Sequence, residues 1–115
     1  MARALVVDDD AALRLLCRVN LELEGFTVRE AASVAEAEAA VAAERPDVVL
    51  LDVHLGGERA IDLLSRLRGA GIPVAIVTGS VDIDEFRGVA DAVIAKPFEP
   101  PELVETARRL ARVSA

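Results

Sequence analysis

The chain has 115 residues, of which 53% are hydrophobic and 29% charged, and its formal net charge is −7 at pH 7. This length and composition predict one folded domain over residues 1–115 rather than a disordered or low-complexity chain. The negative charge disfavours direct binding to nucleic acid or an anionic membrane, and no apolar run is long enough to span a bilayer, so a cytoplasmic protein without membrane insertion is expected.

Short apolar runs predict the strands of a sheet. Four of them lack the alternation of a strand with one wet face, which indicates burial on both faces. They are ALVV at 4–7, VVLL at 48–51, VAIV at 74–77 and AVIA at 92–95. A fifth, weaker strand is predicted at FTV, 26–28.

Helical patterns lie between the strands. Ala12, Leu16, Val19 and Leu23 fall on one face of a first helix, and Gly25 follows where a C-terminal cap belongs. The lone cysteine, Cys17, is predicted to be a small core residue of this helix.

Four more helices are predicted, and one of them is shortened. Ser33 and Glu36 form a capping box for the second helix, whose inward residues are Val34, Ala37 and Val41. The third and last helices carry the apolar stripes Ala60, Leu63, Leu64, Leu67 and Leu103, Val104, Ala107, Leu110, Ala111. Residues 82–88 allow at most two turns of a fourth helix. Strands that alternate with helices predict an α/β fold with a parallel sheet.

Polar residues follow the predicted strands at their C-terminal ends. Asp8 and Asp9 follow the first, Asp52 the third, Thr78 the fourth and Lys96 the fifth. In an open parallel sheet these ends meet at the edge where ligands bind. The carboxylates therefore predict a site for a hard divalent cation, Mg²⁺ above all. Such a site suits phosphoryl transfer, and Asp52, which stands alone, is the natural nucleophile.

The segments LVVDDD, LLDVHL, VTGS and IAKPF occur in this order, each at a strand end. Together they resemble the receiver domain of bacterial two-component response regulators, over essentially the whole chain. The resemblance implies a flavodoxin-like, doubly wound, five-stranded parallel sheet with strand order 2-1-3-4-5 and five helices. It implies a phosphoacceptor signalling switch in a phosphorelay, not an enzyme in the usual sense, with slow autophosphatase activity.

The resemblance also implies roles for single residues. Asp52 would accept the phosphoryl group from a sensor histidine kinase or a histidine phosphotransfer protein. Mg²⁺ would be bound by Asp9, Asp52 and the backbone carbonyl of His54, with Asp8 acting through a water molecule. Thr78, followed by Gly79 in the same motif, and Lys96 would contact the phosphoryl oxygens. The residues so implied are Asp8, Asp9, Asp52, His54, Thr78, Gly79 and Lys96, and the Lys96–Pro97 bond is expected to be cis.

Some positions depart from the family pattern. Gly56 and Ala60 stand where most receivers have proline and glycine, and Val93 replaces the usual aromatic residue. The short fourth helix and the Thr78-Gly79 pair resemble, in part, the FAT GUY subset of receivers. We therefore expect partner binding to change at the face around the fourth helix and fifth strand through ordering of residues 79–88.

Two alternatives stay open. One is a receiver-like interaction module that is never phosphorylated. The other is a haloacid-dehalogenase-type phosphohydrolase that uses Asp8 and Asp10, although Ala12 stands where that family has threonine or valine. No output domain is expected after Ala111, which fits a stand-alone receiver or a piece of a longer protein. The protein is expected to be a monomer or to form a dimer that depends on phosphorylation. An unknown downstream protein is expected as its partner.

Overall fold

The fold is described by a computed structural model, which covers residues 2–55, 58–79 and 83–114. The strands are β1 Arg3–Val7, β2 Thr27–Ala31, β3 Val48–Leu51, β4 His54–Leu55, β5 Glu58–Arg59, β6 Val74–Thr78 and β7 Ala92–Ala95. The helices are α1 Ala11–Leu23, α2 Val34–Ala43, α3 Ile61–Gly69, α4 Ile83–Phe86 and α5 Pro100–Ser114.

Five parallel strands form the main sheet in the order β2-β1-β3-β6-β7. Counted over this sheet alone, the order is 2-1-3-4-5, which confirms the predicted doubly wound fold. The fourth helix has a single turn in the described residues, in agreement with the expected shortening. The sequence did not predict β4 and β5, which form a small antiparallel hairpin directly after β3.

The sheet separates two apolar layers, because successive side chains of a strand point to opposite faces. In β1, Leu5 and Val7 pack with α2 and α3, whereas Ala4 and Val6 pack with α1 and α5. The same alternation holds in β3, all of whose residues are buried. Each buried leucine stabilises the fold by about 2 kcal/mol relative to an exposed one. Burial on both faces explains the continuous apolar runs of the sequence.

Gly25 ends α1 as predicted. Its φ of 92° is a left-handed conformation that glycine adopts without strain. The N–H of Gly25 donates to the carbonyl of Glu22, and the N–H of Phe26 donates to the carbonyl of Leu21, both at 3.1 Å. Phe26 and Leu21 belong to the same buried cluster, so the turn is a Schellman motif with its apolar contact.

The apolar face predicted for α1 is not the buried one. Leu16, Val19 and Leu23 are exposed, Leu23 to 76%, while Cys17 and Leu21 face the core. The helix carries apolar residues on two sides, and the side with Cys17 and Leu21 meets the sheet. The prediction for Cys17 is confirmed, and burial raises the pKa of its thiol to about 12.

The stripes predicted for α2, α3 and α5 are confirmed as buried or packed against the core. At the start of α2, the N–H of Glu36 donates to Ser33 Oγ at 3.1 Å. The carboxylate of Glu36 accepts from the N–H of Ala32 at 2.8 Å, one residue earlier than in a standard capping box. Among the described residues, no helix has both the length and the apolar character needed to cross a bilayer.

Candidate functional site

Three carboxylates meet at the carboxyl edge of the sheet. Oxygens of Asp8, Asp9 and Asp52 lie within 4.8 Å of one another. They meet because β1 and β3 are parallel neighbours whose last residues, Val7 and Leu51, are in register. The backbone continues the sheet ladder past both strands, since the N–H of Asp52 donates to the carbonyl of Val7 at 2.9 Å. The strand pairing therefore sets the positions of the buried carboxylates.

The two buried carboxylates, Asp8 and Asp52, are fixed in the same way. The N–H of Asp10 donates to Asp8 Oδ1, and the N–H of His54 donates to Asp52 Oδ1, each at 2.9 Å. These are side-chain turns in which an aspartate caps the amide two residues later. Each turn holds one carboxylate oxygen, which leaves Oδ2 directed at the centre of the site.

Lys96 lies between the two Oδ2 atoms. Its Nζ donates to Asp8 Oδ2 at 3.1 Å and to Asp52 Oδ2 at 3.0 Å. The lysine is brought there from the end of β7, where its N–H donates to the carbonyl of Thr78 at 2.8 Å. The Lys96–Pro97 peptide is cis, as the resemblance implies. The sequence placed this ammonium at the acidic site correctly.

The environment shifts the pKa values of Asp8 and Lys96. Burial raises the pKa of Asp8 above its ordinary value, although the N–H of Asp10 and the ammonium of Lys96 act in the opposite direction. Burial lowers the pKa of Lys96, but its bonds and charge interactions with Asp52 and Asp8 outweigh this and raise it. Lys96 therefore carries its positive charge at neutral pH.

The remaining predicted residues surround this centre. Thr78 is fully buried at the last position of β6, and Gly79 follows it on the surface, where an added Cβ would meet no atom within 4 Å. His54 is exposed at the start of the β4–β5 hairpin. Val93, at the position of the usual aromatic residue, is partly buried against the core. Gly56 and residues 80–82 lie outside the described residues, so the expected ordering of residues 79–88 stays a prediction.

Asp10 does not join the acidic cluster. Its Oδ1 accepts from the N–H of Ala12 at 2.9 Å and from the N–H of Leu13 at 3.3 Å, which makes it the N-cap of α1. The dehalogenase alternative needs Asp10 beside Asp8 as a catalytic group. Because the Asp10 carboxylate caps α1, the structure gives the dehalogenase alternative no support.

Arg14 also contacts the site, and the sequence did not predict it. Its Nη1 donates to the carbonyl of Asp8 at 2.7 Å, and its Nε donates to Glu30 Oε1 at 3.1 Å. An arginine at the end of the first turn of an amphipathic helix is usually a solvated surface residue, so the apolar pattern gave no signal for it. The only usable sign was its place four residues after the helix cap at Asp10, one turn from the acidic cluster.

A doubly wound sheet with carboxylates and a lysine at its carboxyl edge defines a ligand-binding α/β domain of the flavodoxin-like class. The family model for the response regulator receiver domain matches residues 4–108, and the chain belongs to this family. It is thus a receiver domain, the signalling domain of response regulators in two-component systems. Receiver domains bind Mg²⁺ at an acidic cluster, and Asp8, Asp9 and Asp52 are grouped in that way here.

Known relatives agree with this assignment. The chain is 41% identical over 111 residues to the DNA-binding response regulator MtrA of Mycobacterium tuberculosis H37Rv, a match that covers 92% of this chain and 49% of MtrA. It is 35% identical over 116 residues to the phosphate regulon regulator PhoB of Pseudomonas aeruginosa, covering 94% and 51%. The chain therefore spans about half the length of these curated relatives.

Solved structures show the same fold. A CheY-like receiver domain protein from Methanospirillum hungatei superposes with a TM-score of 0.88 at 29% identity, covering 99% of this chain and 96% of that one. The receiver domain of NtrX from Brucella abortus gives a TM-score of 0.87 at 30% identity, covering 95% and 98%.

The donor set fits a magnesium ion. Three carboxylates offer hard, anionic oxygens, and Mg²⁺ prefers such ligands together with retained waters. Asp9 is exposed whereas Asp8 and Asp52 are buried, so the cluster opens to solvent on one side. That opening leaves room for the waters that Mg²⁺ keeps.

Proposed function

We propose that this receiver domain is a magnesium-dependent phosphoacceptor switch in which Asp52 receives a phosphoryl group from a phosphohistidine donor. The observation that carries the proposal is the position of Asp52 Oδ2, 3.0 Å from Lys96 Nζ and within the same carboxylate cluster as Asp8 and Asp9. A carboxylate nucleophile, a fixed ammonium and a hard-cation site are the components that phosphoryl transfer requires.

The transfer is an in-line displacement at phosphorus. Asp52 Oδ2 forms a bond to phosphorus as the P–N bond of the phosphohistidine breaks, and the donor's imidazole, already protonated on its other ring nitrogen, leaves as neutral histidine. The ammonium of Lys96 stays beside the carboxylate that is modified and neutralises charge on a phosphoryl oxygen. The hydroxyl of Thr78 donates to a second oxygen. Bound Mg²⁺, held by Asp9, Asp52, the His54 carbonyl and a water on Asp8, would supply further charge neutralisation.

Hydrolysis of the acyl phosphate returns the switch to its resting state. A water molecule attacks the same phosphorus, the bond between phosphorus and Asp52 Oδ2 breaks, and inorganic phosphate leaves in a slow autophosphatase reaction. Phosphorylation is proposed to change the face formed by α4 and β7, where Val93 takes the place of an aromatic side chain.

We also propose that the protein acts in the cytoplasm and that this domain makes no direct contact with nucleic acid.

Phosphorylation by a small donor tests the proposal. Incubation with acetyl phosphate and Mg²⁺ is expected to add one phosphoryl group, because the nucleophile and its electrostatic partners are already assembled. Removal of Mg²⁺ with a chelator is expected to abolish the gain. Intact-mass spectrometry measures both. If calorimetry shows that Mg²⁺ binds and yet no mass is gained from acetyl phosphate or from phosphoramidate, the interaction-module alternative replaces the switch.

The donor's docking site is proposed to be the exposed apolar face of α1, which we define as Leu15, Leu16, Val19 and Leu23. Helix α1 begins at Ala11, two residues after Asp9, so this face borders the acidic cluster. A protein that brings phosphohistidine to Asp52 must cover the adjoining surface. A contiguous stripe of large apolar side chains is typical of a surface that another protein covers. The proposed occupant is an apolar surface of the phosphohistidine protein, which would complement the apolar side chains of α1.

Leu16→Glu is expected to slow transfer from an autophosphorylated histidine kinase at least tenfold, since a charge would be buried without a partner in the complex. The rate with acetyl phosphate should not change, because this small donor needs no docking surface. Transfer of radiolabelled phosphate from a kinase that accepts the unchanged protein measures the difference. Val89→Glu is the matched control, because Val89 is 44% exposed, Leu16 is 42% exposed, and Val89 lies outside the α1 face. Equal slowing by both variants would contradict the docking site.

A further inference from the structure

Arg14 connects α1 to the turn that carries Asp8 and Asp9. Its Nη1 donates to the Asp8 carbonyl at 2.7 Å, and its side chain is only 17% exposed. The amide of Asp8 is held separately, by its N–H bond to the carbonyl of Ala31 at 3.0 Å. The peptide groups on both sides of Asp8 are therefore each fixed by a partner outside the turn.

Glu30 holds the guanidinium in place from β2. Its Oε1 accepts from Arg14 Nε at 3.1 Å, and its Oε2 accepts from Arg18 Nη1 at 3.0 Å. Glu30 precedes Ala31, the residue whose carbonyl binds the Asp8 amide. The end of β2 thus fixes the turn twice, directly through Ala31 and through Glu30 and Arg14.

Fixing the Asp8 carbonyl also directs Asp9. The carbonyl of Asp8 and the N–H of Asp9 belong to one planar peptide group, so a bond to the carbonyl sets the orientation of that plane. The Cα of Asp9 is the next atom of this plane, and the direction of its side chain depends on it. Asp9 is the exposed member of the cluster and is not enclosed by the core as Asp8 and Asp52 are.

We propose that Arg14 is a positioning residue for the metal site: through the Asp8–Asp9 peptide it holds the Asp9 carboxylate in the direction that Mg²⁺ binding needs. The inference rests on the proposed function, because it assigns a support to the same site. Groups that orient metal ligands without touching the metal commonly contribute tenfold or more to metal affinity.

The sign of the effect separates positioning from simple charge. Arg14 is a cation near a cation site, so deleting its charge alone would tighten Mg²⁺ binding. Loss of positioning would weaken it. For Arg14→Met we expect the dissociation constant for Mg²⁺ to rise about tenfold. Arg14→Lys, which keeps the charge and a donor but not the planar fork, is expected to recover part of the affinity.

Arg18→Met is the matched control. Arg18 lies on the same helix and binds the same Glu30, but the bonds described for it go to Glu22 and Glu30. Its removal deletes an equal charge, and the dissociation constant for Mg²⁺ is expected to stay within about twofold. Isothermal titration calorimetry with MgCl₂ is the measurement, since the chain has no tryptophan or tyrosine to serve as a fluorescent reporter. Urea unfolding in the presence of a chelator checks that each variant is folded.

Weaker Mg²⁺ binding in Arg14→Met but not in Arg18→Met supports the inference. Unchanged or tighter Mg²⁺ binding in a folded Arg14→Met variant overturns the inference. Equal weakening of Mg²⁺ binding in both variants also overturns it. A lower free energy of unfolding without a change in Mg²⁺ affinity would show that Arg14 has a structural role only. If Arg14→Met does not fold, Arg14→Lys decides the question in the same titration, where unchanged affinity overturns the inference. Failure of the unchanged protein to bind Mg²⁺ would overturn the proposed function and this inference together.

Discussion

Asp52→Asn is expected to remove all phosphorylation by acetyl phosphate while the protein stays folded. The amide is not a nucleophile, so the bond from Asp52 Oδ2 to phosphorus cannot form. Its oxygen can still accept the N–H of His54, which donates to Asp52 Oδ1 at 2.9 Å in the unchanged protein. Intact-mass spectrometry after incubation with acetyl phosphate and Mg²⁺ measures the result.

Asp10→Asn is the matched control for this experiment. Asp10 is the N-cap of α1, and asparagine caps a helix about as well as aspartate. Phosphorylation of this variant is therefore expected to continue at a comparable rate. A dehalogenase-type enzyme would give the reverse pattern, with activity kept in Asp52→Asn and lost in Asp10→Asn. A phosphoryl group found on Asp52→Asn would also contradict the assignment of Asp52 as acceptor.

Lys96→Met is expected to lower the free energy of unfolding of the metal-free protein by about 2–3 kcal/mol. Removal of one partner from a buried ion pair typically costs 3–5 kcal/mol, and the partial exposure of Lys96, 28% of its side chain, reduces this. The variant leaves Asp8 and Asp52 buried without the cation that joins their Oδ2 atoms. Saturating Mg²⁺ is expected to restore most of the lost stability. Urea denaturation with and without Mg²⁺ measures both quantities.

The stability that Lys96→Met loses should depend on pH in a defined direction. Burial already raises the pKa of Asp8 above its ordinary value, and removal of Lys96 takes away a group that acts against this. A carboxyl group with a raised pKa in the folded state destabilises the fold at neutral pH, and protonation relieves this as pH falls through that pKa. The difference between Lys96→Met and the unchanged protein should therefore be largest near pH 7. It should shrink as pH falls towards the raised pKa of Asp8.

Arg66→Met serves as the control for Lys96→Met. The ion pair of Arg66 with Glu38, 2.7 Å long, lies on the surface between α3 and α2, where such pairs contribute less than about 1 kcal/mol. The free energy of unfolding should fall by no more than this amount, with no dependence on Mg²⁺. If Lys96→Met lost no more stability than Arg66→Met, the ammonium would not be the counter-ion of the buried carboxylates.

The sequence predicted the sheet well because burial on both faces leaves an unmistakable apolar run. The cap at Gly25 was also predictable, since few residues other than glycine adopt its backbone conformation. The buried face of α1 was not, because Leu13, Cys17 and Leu21 compete with Leu16, Val19 and Leu23 for the role. The β4–β5 hairpin was missed because strands of two residues carry no periodic signal.

The candidate site was predictable to the level of which residues meet. Parallel strands end at one edge, so Asp8, Asp52 and Lys96 had to converge once the strands were assigned. The support from Arg14 was not predictable, because it depends on how α1 is rotated against the sheet and on a residue of β2. Roles in phosphoryl transfer came from the resemblance to receivers and stay predictions.

The ladder hydrogen bonds of Asp8 and Asp52 tie the chemistry to the most persistent part of the molecule. Both amides donate to carbonyls of a neighbouring strand, to Ala31 and to Val7, although both residues lie beyond the last position of their own strands. Amides of this kind are released when the central sheet itself opens, not when a helix end or a surface loop frays. Asp52, the proposed acceptor, and Asp8 therefore keep their spacing through local fluctuations at the surface, and the domain can move at its periphery while the carboxylate cluster stays assembled.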